Sequence, residues 1–307
     1  MKHNGNNNRQ GAGGRKSASF FGIVCGVLAA VCYGTNPLGA LSLYREGMTT
    51  ASVLFWRFGL AWLIIAGVMA VRCLMHRDTL RLTLRELGTV TLLGVLFVAS
   101  SLSLYLSFRV MDAGVASTIL FTYPVMTAIM MALFFHERGG WPTTVAIALS
   151  AIGVVLLYWG DGTATLPLGG VALVLLSAFS YALYIIVAGR SRLQMSSFKI
   201  NFYVIFYCAL GMLCYSLVSG EVLALPQNAA SWFYVGWLAV VPAIMALVLL
   251  VYAAKLAGST TTAILGALEP LTAVLIGVFV FGESFTLALA LGILLILAAV
   301  TIIVIKN

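Results

Sequence analysis

Ten apolar stretches dominate the chain, and nothing between them is long enough to fold on its own. They cover residues 20–43, 49–72, 87–109, 113–135, 141–159, 168–189, 198–218, 231–254, 258–281 and 285–305. A helix of about 20 mainly apolar residues crosses a hydrocarbon core of about 30 Å, so each stretch is a candidate span. Composition supports this: hydrophobic residues make up 62% of the chain and charged residues 8%, and the mean hydropathy is +1.07. These values lie outside the range of soluble domains. Short connections carry turn residues, such as Gly160-Asp161-Gly162, Ser219-Gly220 and Pro226. The runs are too long and continuous for the alternating ten-residue strands of a membrane barrel. The expected fold is an all-α membrane protein of ten transmembrane helices.

The basic residues set the expected orientation. With an even number of spans both termini share a side, and that side collects Lys2, Arg9, Arg15, Lys16, Arg72, Arg77, Arg81, Arg85, Arg138, Arg190, Arg192, Lys199, Lys255 and Lys306. The other side holds only Arg45 and Arg109, while Arg57 falls within the second span. Positive charge concentrates on the cytoplasmic side, so both termini are expected there, in a cell inner (cytoplasmic) membrane. Because these residues are scattered over loops, the net charge of +8 reflects topology and not a nucleic-acid surface. Residues 1–19 are hydrophilic and read as a disordered cytoplasmic tail. The apolar run after them lacks a small-residue cleavage site, so the mature protein is expected to keep it. Cys25, Cys32, Cys73, Cys208 and Cys214 show no paired spacing, which indicates neither a disulfide framework nor a metal site.

The chain also repeats itself. "YPVMTAIMMALFFHE" (123–137) aligns with "EPLTAVLIGVFVFGE" (269–283): Pro124 and Pro270, like Glu137 and Glu283, are 146 residues apart. Arg109 falls on Lys255 at the same shift, and Ala146 and Gly153 fall on Gly292 and Ala299, small residues two turns apart on one helix face. A weaker echo pairs "AVCYG" (30–34) with "AFSYA" (178–182). Residues 20–159 and 168–305 therefore read as two five-helix repeats joined by a linker at 160–167. Five spans is an odd number, so the second copy enters the membrane inverted. That architecture is common in secondary transporters, where substrate sits between the halves near the midplane.

These blocks resemble the EamA family of the drug/metabolite transporter superfamily. "LEPLTAVLIGVFVFGES" is similar to that family's second-repeat block, "YPVMTAIMMALFFHER" to the first, and "FWRFGLAWL" (55–63) to its Arg-containing second span. The resemblance runs from about Phe20 to Ile305. It implies a ten-span transporter with a cavity between the repeats, moving small metabolites, often outward. Two positions depart from the internal echo: Tyr123 stands opposite Glu269, and His136 opposite Gly282.

Candidate site residues follow from the cost of polar groups in lipid. Glu269 lies about three turns into the ninth span, near mid-depth, and Arg57 about two turns into the second. Together they can hold the charged ends of a zwitterion, or Glu269 can exchange a proton for substrate. The structural alternative for Glu269 is to brace the kink that Pro270 makes by freeing the Gly266 carbonyl. For Arg57 it is snorkelling toward the span's end. Tyr33, Asn36 and Pro37 interrupt the first span, and Ser177, Ser180, Tyr181 and Tyr184 are their counterparts in the sixth. Tyr123, Thr118 and Thr122 stand near Pro124. Thr260 to Thr262 and Ser100, Ser101 and Ser103 add polarity. Tyr203, Tyr207 and Tyr252 complete the candidate aromatic lining, and Pro37, Pro124 and Pro270 are candidate helix breaks or hinges. Glu137 and Glu283 end their spans and suit an interfacial cap or hinge role.

Enzyme chemistry finds few parts here. The chain has no HExxH, nucleophile elbow, paired intramembrane aspartates or Walker A lysine, and His3, His76 and His136 do not converge. The expectation is a cofactor-free secondary transporter of small polar metabolites such as amino acids, exporting by alternating access. Proton-coupled efflux of drugs or organic cations is the alternative within that class, and a passive channel or non-transporting scaffold the alternative outside it.

Overall fold

The computed structural model describes residues 7–76, 80–135, 140–159, 167–191 and 195–306. Among them the chain forms helices and no strands: α1 (Asn7–Gly34), α2 (Asn36–Arg45), α3 (Thr50–His76), α4 (Leu84–Ser107), α5 (Ala113–Leu120), α6 (Tyr123–Phe135) and α7 (Trp141–Trp159). Then come α8 (Leu168–Arg190), α9 (Ser197–Ser219), α10 (Ala229–Val240), α11 (Ala246–Ala257), α12 (Ser259–Leu265), α13 (Leu268–Ile276) and α14 (Leu287–Lys306). A π-helical turn over Val241–Met245 joins α10 to α11, and another over Gly277–Phe281 extends α13. Nine helical stretches among the described residues are long and apolar enough to cross a membrane. The tenth expected span, 258–281, is assembled from α12, α13 and the second π turn, of which Leu268–Phe281 is a shorter apolar helix. Large apolar side chains, such as Phe20, Leu63, Leu74, Trp141, Phe179 and Phe279, are exposed around the bundle. A belt of that extent has lipid as its solvent.

One element departs from expectation. Helix α1 starts at Asn7, so helix runs through 7–19, where composition predicts a disordered tail. The apolar run from Phe20 supplies a nucleus, and adding residues to an existing helix costs far less than starting one. Gln10, Ala12, Arg15, Lys16 and Ala18 propagate it well. The turn at Gly160-Asp161-Gly162, Glu137, His136, Arg77, Arg138 and Arg192 lie outside the described residues.

Helix packing follows the repeat. The most extensive contacts are α1 with α11, α4 with α8, α7 with α14, and α3 with α9. Exchanging each span for its counterpart 146 residues away turns α1·α11 into α8·α4 and maps α7·α14 and α3·α9 onto themselves. The contacts thus obey a pseudo-two-fold between two repeats. Small residues let the seams close, as packing in lipid requires. In α7·α14, a Cβ on Gly153 would stand 2.9 Å from Ile296 Cγ1, and one on Gly292 would stand 2.5 Å from Leu157 Cγ. Ala146 and Ala299, the other two members of that duplicated pattern, are fully buried.

Where helices begin and end has local causes. Thr83 and Glu86 form a capping box at α4: Thr83 Oγ1 accepts from the Glu86 amide, and Glu86 Oε2 accepts from the Thr83 amide. Ser196 and Asn228 cap α9 and α10 by accepting from the Lys199 and Ser231 amides. Gly282, with φ of 74°, ends the ninth stretch in the left-handed region that an L side chain resists.

Gly292→Ala is expected to lower the thermal unfolding midpoint of the purified protein in detergent, because overpacking a seam of this kind costs about 1–3 kcal/mol. Adding Leu157→Ala should restore part of the loss by opening space for the new methyl. An unchanged midpoint for the single variant would show that the α7·α14 seam is not close-packed at Gly292.

Candidate functional site

Three breaks in the backbone shape the interior, and each lies beside a proline. The first falls at Thr35, between α1 and α2. Pro37 cannot donate to the Tyr33 carbonyl four residues back, and the side-chain amide of Asn36 does so instead, at 2.7 Å. Thr35 Oγ1 donates to the Cys32 carbonyl at 2.7 Å. The second break separates α5 from α6 at Phe121-Thr122, where the Thr122 amide reaches back only to Ile119 O, at 3.0 Å. The third separates α12 from α13, where the Ala267 amide donates to Ile264 O at 3.0 Å and the Glu269 amide to Gly266 O at 2.9 Å. The second and third are counterparts under the 146-residue shift. Glu269's own backbone therefore satisfies the carbonyl that Pro270 frees, and its side chain is left for another task.

A cavity of about 730 Å³ lies between the two repeats at these breaks. That volume falls within the range of about 300–1,000 Å³ typical of small-molecule sites. Both buried charges singled out in the sequence line it, Arg57 from α3 and Glu269 from α13. Tyr33, Asn36, Tyr123, Pro124 and Tyr181 line it as well, with Ser100, Ser101 and Thr262. Toward one end of the bundle its wall reaches Thr143, near the start of α7, and Val304, near the end of α14. Glu269 is half-buried, and Gly34 explains how α13 comes so close to α1. A Cβ on Gly34 would stand 2.6 Å from the Glu269 carbonyl oxygen and 2.5 Å from Thr272 Cβ.

Aromatic rings make one wall. Tyr123 and Tyr181 meet edge to face with centroids 4.8 Å apart, and Tyr184 stacks on Tyr181 at 5.9 Å and 5°. Phe97 of α4 packs on Tyr184 at 5.3 Å. Tyr184 thus stands behind the wall and backs it. Ser177 does not face the cavity; its hydroxyl donates to the Ser100 carbonyl at 2.7 Å and ties α8 to α4.

Other expected residues go elsewhere. Tyr252 is 52% exposed on α11 and does not join the cavity wall, because its helix turns Leu250 and Ala254 inward in its place. Tyr203 donates to the Leu80 carbonyl at the bundle's edge, and Tyr207 packs against Gly94. Pro37 and Pro270 are buried in helix contacts outside the wall. Tyr105 was missed by the sequence reading. It is 1% exposed, lines the cavity, and accepts a 2.5 Å hydrogen bond from Arg57 Nη1. Its signal was the spacing Phe97, Ser101, Tyr105, one helix face in steps of four.

At the opposite end of the bundle the two repeats touch through Glu283 and Arg45. Glu283 accepts from the Ala113 amide at 2.7 Å and the Gly114 amide at 2.9 Å, the first turn of α5. Arg45 Nη2 donates to Phe281 O at 3.3 Å, with its guanidinium 4.6 Å from the Phe281 ring. Burial pushes the Glu283 carboxyl above its ordinary value; the Gly114 and Ala113 amides pull it down, and nearby Asp112 raises it further. Burial raises Asp112 as well. Gly277 makes room for this carboxylate, since a Cβ there would collide with Glu283 Oε2.

This arrangement can receive a small solute with a polar or charged group, against an aromatic wall, inside a two-repeat membrane bundle. Comparison with known proteins agrees. The model of the EamA-like transporter family matches residues 20–159 and 168–305. An uncharacterized transporter of Archaeoglobus fulgidus is 30% identical over 282 residues, which cover 92% of this chain and 96% of the relative. The uncharacterized transporter YdfC of Bacillus subtilis is 26% identical over 80% of this chain and 79% of its own. The uncharacterized inner membrane transporter YicL of Salmonella typhimurium is 26% identical over 92% and 94%. A solved crystal structure superposes with a TM-score of 0.59 at 19% identity, covering 94% of this chain and 96% of the other, and speaks for the fold. With both halves matched by the family and a relative similar over nearly its whole length, this chain belongs to the EamA-like transporter family.

Proposed function

We propose that this protein is a secondary transporter that exports small polar metabolites, amino acids foremost, across the cytoplasmic membrane by alternating access. The observation that carries this reading is the pairing of one acid, Glu269, and one base, Arg57, on the wall of a single cavity between two repeats. Uncompensated charges are costly at membrane depth and are kept where they meet a ligand, ion or proton. A zwitterion satisfies both, and the rings of Tyr33, Tyr123 and Tyr181 supply faces for its carbon skeleton.

Basic loops place both termini in the cytoplasm under the positive-inside rule. On that assignment the end closed by Glu283 and Arg45 faces outward, and the cavity reaches toward the inner side through Thr143 and Val304. Alternating access then requires the Glu283 contact to break when the protein turns outward. A carboxylate on the first amides of a helix stabilises by about 0.3–1 kcal/mol, which suits a contact made and lost in each cycle. The repeats exchange roles in this motion, with Pro37, Pro124 and Pro270 as the breaks about which helices pivot.

A second reading is favoured by the Glu269 carboxylate, to which no described residue donates a hydrogen bond. A free acid facing an aromatic cavity also suits proton-coupled efflux of organic cations. Counterflow in proteoliposomes distinguishes the two, because saturable exchange driven by unlabelled amino acid identifies the first and saturable exchange driven by an organic cation the second, while a fixed pore shows neither.

Two outcomes are expected. Glu269→Gln should lower amino-acid flux at least about tenfold while the protein still elutes as a folded species, the loss of a charge-assisted contact being worth about 1.5–3 kcal/mol. Equal flux for wild type and variant at every pH between about 5 and 8 removes Glu269 from both binding and coupling. Glu283→Gln should raise labelling of a cysteine placed at Ser101, in a background without native cysteines, from the outer side by about 2–5-fold. Acidifying that side should do the same to wild type and not to the variant, since protonating a carboxyl already raised by burial weakens its grip on the amides. Unchanged labelling would rule out Glu283 as the outer closure.

A further inference from the structure

Arg57 is a buried charge that the described residues compensate only in part. Its side chain is 7% exposed, and its Nε is buried without a hydrogen-bond partner. Nη1 donates to the Tyr105 hydroxyl at 2.5 Å, a neutral acceptor, and no carboxylate among the described residues pairs with the guanidinium. The rings of Phe58 and Tyr105 lie 5.3 and 5.4 Å from it and offset part of the burial cost through their π faces. A buried cation without an anion remains strongly unfavourable.

Its surroundings are built to hold it. Pro37 frees the Tyr33 carbonyl, the Asn36 side-chain nitrogen takes that carbonyl, and the amide oxygen is thereby turned toward Tyr105, which donates to it at 3.3 Å. With its proton spent on Asn36, the Tyr105 oxygen must accept, and Arg57 is the donor that fits. The helix break in α1 thus orients Asn36, Asn36 orients Tyr105, and Tyr105 orients Arg57. All three line the cavity.

We propose that Arg57 is a carboxylate subsite, with Tyr105 as its positioning residue and Asn36 behind it. The transported solute docks its carboxylate there, toward the end of the bundle that Glu283 closes. This rests on the transport reading and specifies its substrate class as monocarboxylates, with α-amino acids bound carboxylate to Arg57 and ammonium toward Glu269. A carboxylate fits better than a phosphate. Arg57 is the only Lys or Arg among the cavity's described residues, so one positive charge matches a monoanion and leaves a dianion half-compensated.

The test uses the purified full-length protein and a panel of the proteinogenic L-amino acids. Each is set against its decarboxylated amine and its methyl ester, with phosphoethanolamine as the phosphate probe. Ligand-induced thermal shift reads binding, and proteoliposome counterflow reads transport. For the amino acid that binds best, its amine and ester should bind at least about tenfold more weakly, as expected when a charged hydrogen-bond partner is lost. Arg57→Lys and Tyr105→Phe should each erase most of that preference by weakening binding of the acid more than that of the amine, whatever they do to the ligand-free midpoint; a merely structural Tyr105 would lower all ligands together. Amines or esters binding as well as the acid, a preference unchanged in Arg57→Lys, phosphoethanolamine outcompeting every amino acid, or no binding from the panel each overturns the subsite. Acid-selective binding without counterflow would instead sink the transport reading and leave the subsite standing.

Discussion

In hydrocarbon no water is available to take up a backbone group that loses its partner, and every interruption of a helix must be repaired from within the protein. That constraint organises this molecule. At Thr35 two side chains repair the break, Thr35 on Cys32 and Asn36 on Tyr33. At Gly266-Ala267 the repair is a tightened backbone turn in which the Glu269 amide takes the Gly266 carbonyl. The breaks occur where α1, α6 and α13 meet the cavity, and the residues that mend or adjoin them, Asn36, Tyr123 and Glu269, also line it. Solving the backbone problem puts polar side chains on the wall of the cavity.

Duplication explains the frame, and its failures mark the chemistry. The α1·α11 and α4·α8 contacts, like the breaks before Pro124 and Pro270, are pairs that the 146-residue shift exchanges; the α7·α14 and α3·α9 seams map onto themselves, and the break at Thr35 has no counterpart in α8. The seam of α7 and α14 uses Gly153 and Gly292 from both copies. The match lapses at Tyr123 and Glu269: equivalent positions before equivalent prolines, one a ring in an aromatic wall, the other a carboxylate. A pseudo-two-fold cavity could bind a symmetric ligand. With an acid in place of one ring, the two halves of the cavity wall differ in charge, and Arg57 adds a cation to the same wall.

Much of this was legible in the sequence because lipid imposes simple rules on composition. Span positions follow from length and hydropathy, and the repeat from residue identities at one shift. Glu269, Arg57, Tyr33, Asn36, Tyr123 and Tyr181 reach one cavity; a charge or tyrosine in grease was enough to single out five of them, and the interruption of the first span beside Pro37 marked Asn36. Helix rotation was not legible. Tyr252 and Tyr105 are both tyrosines in apolar helices, but Tyr252 lies half-exposed, whereas Tyr105 is the largest fully buried side chain among the described residues. In a soluble helix the polar face shows which way is out. Here lipid and core are equally apolar, so only a polar residue on the same face, as Ser101 is for Tyr105, marks which way is in, and no polar residue at that spacing marked Tyr252. The helical stretch through 7–19 was missed for another reason: composition reports what a segment does alone, whereas this one continues a helix nucleated elsewhere.

The same lack of an apolar contrast bears on why the polar chain from Pro37 to Arg57 is so fully connected. Apolar packing between spans barely distinguishes one rotation of a helix from another, since a leucine gains little by leaving lipid for protein. Hydrogen bonds do distinguish them, because each polar atom left facing hydrocarbon costs several kcal/mol. Asn36, Tyr105 and Arg57 come from α2, α4 and α3, and their two hydrogen bonds lock the relative rotation of all three. Tyr44 adds a third hydrogen bond by donating to the Tyr105 carbonyl at 2.9 Å. A network that orients a cation at the cavity wall thereby also specifies the packing of the repeat that holds it, and the wall of the cavity and the fold of the first repeat are stabilised by the same few polar atoms.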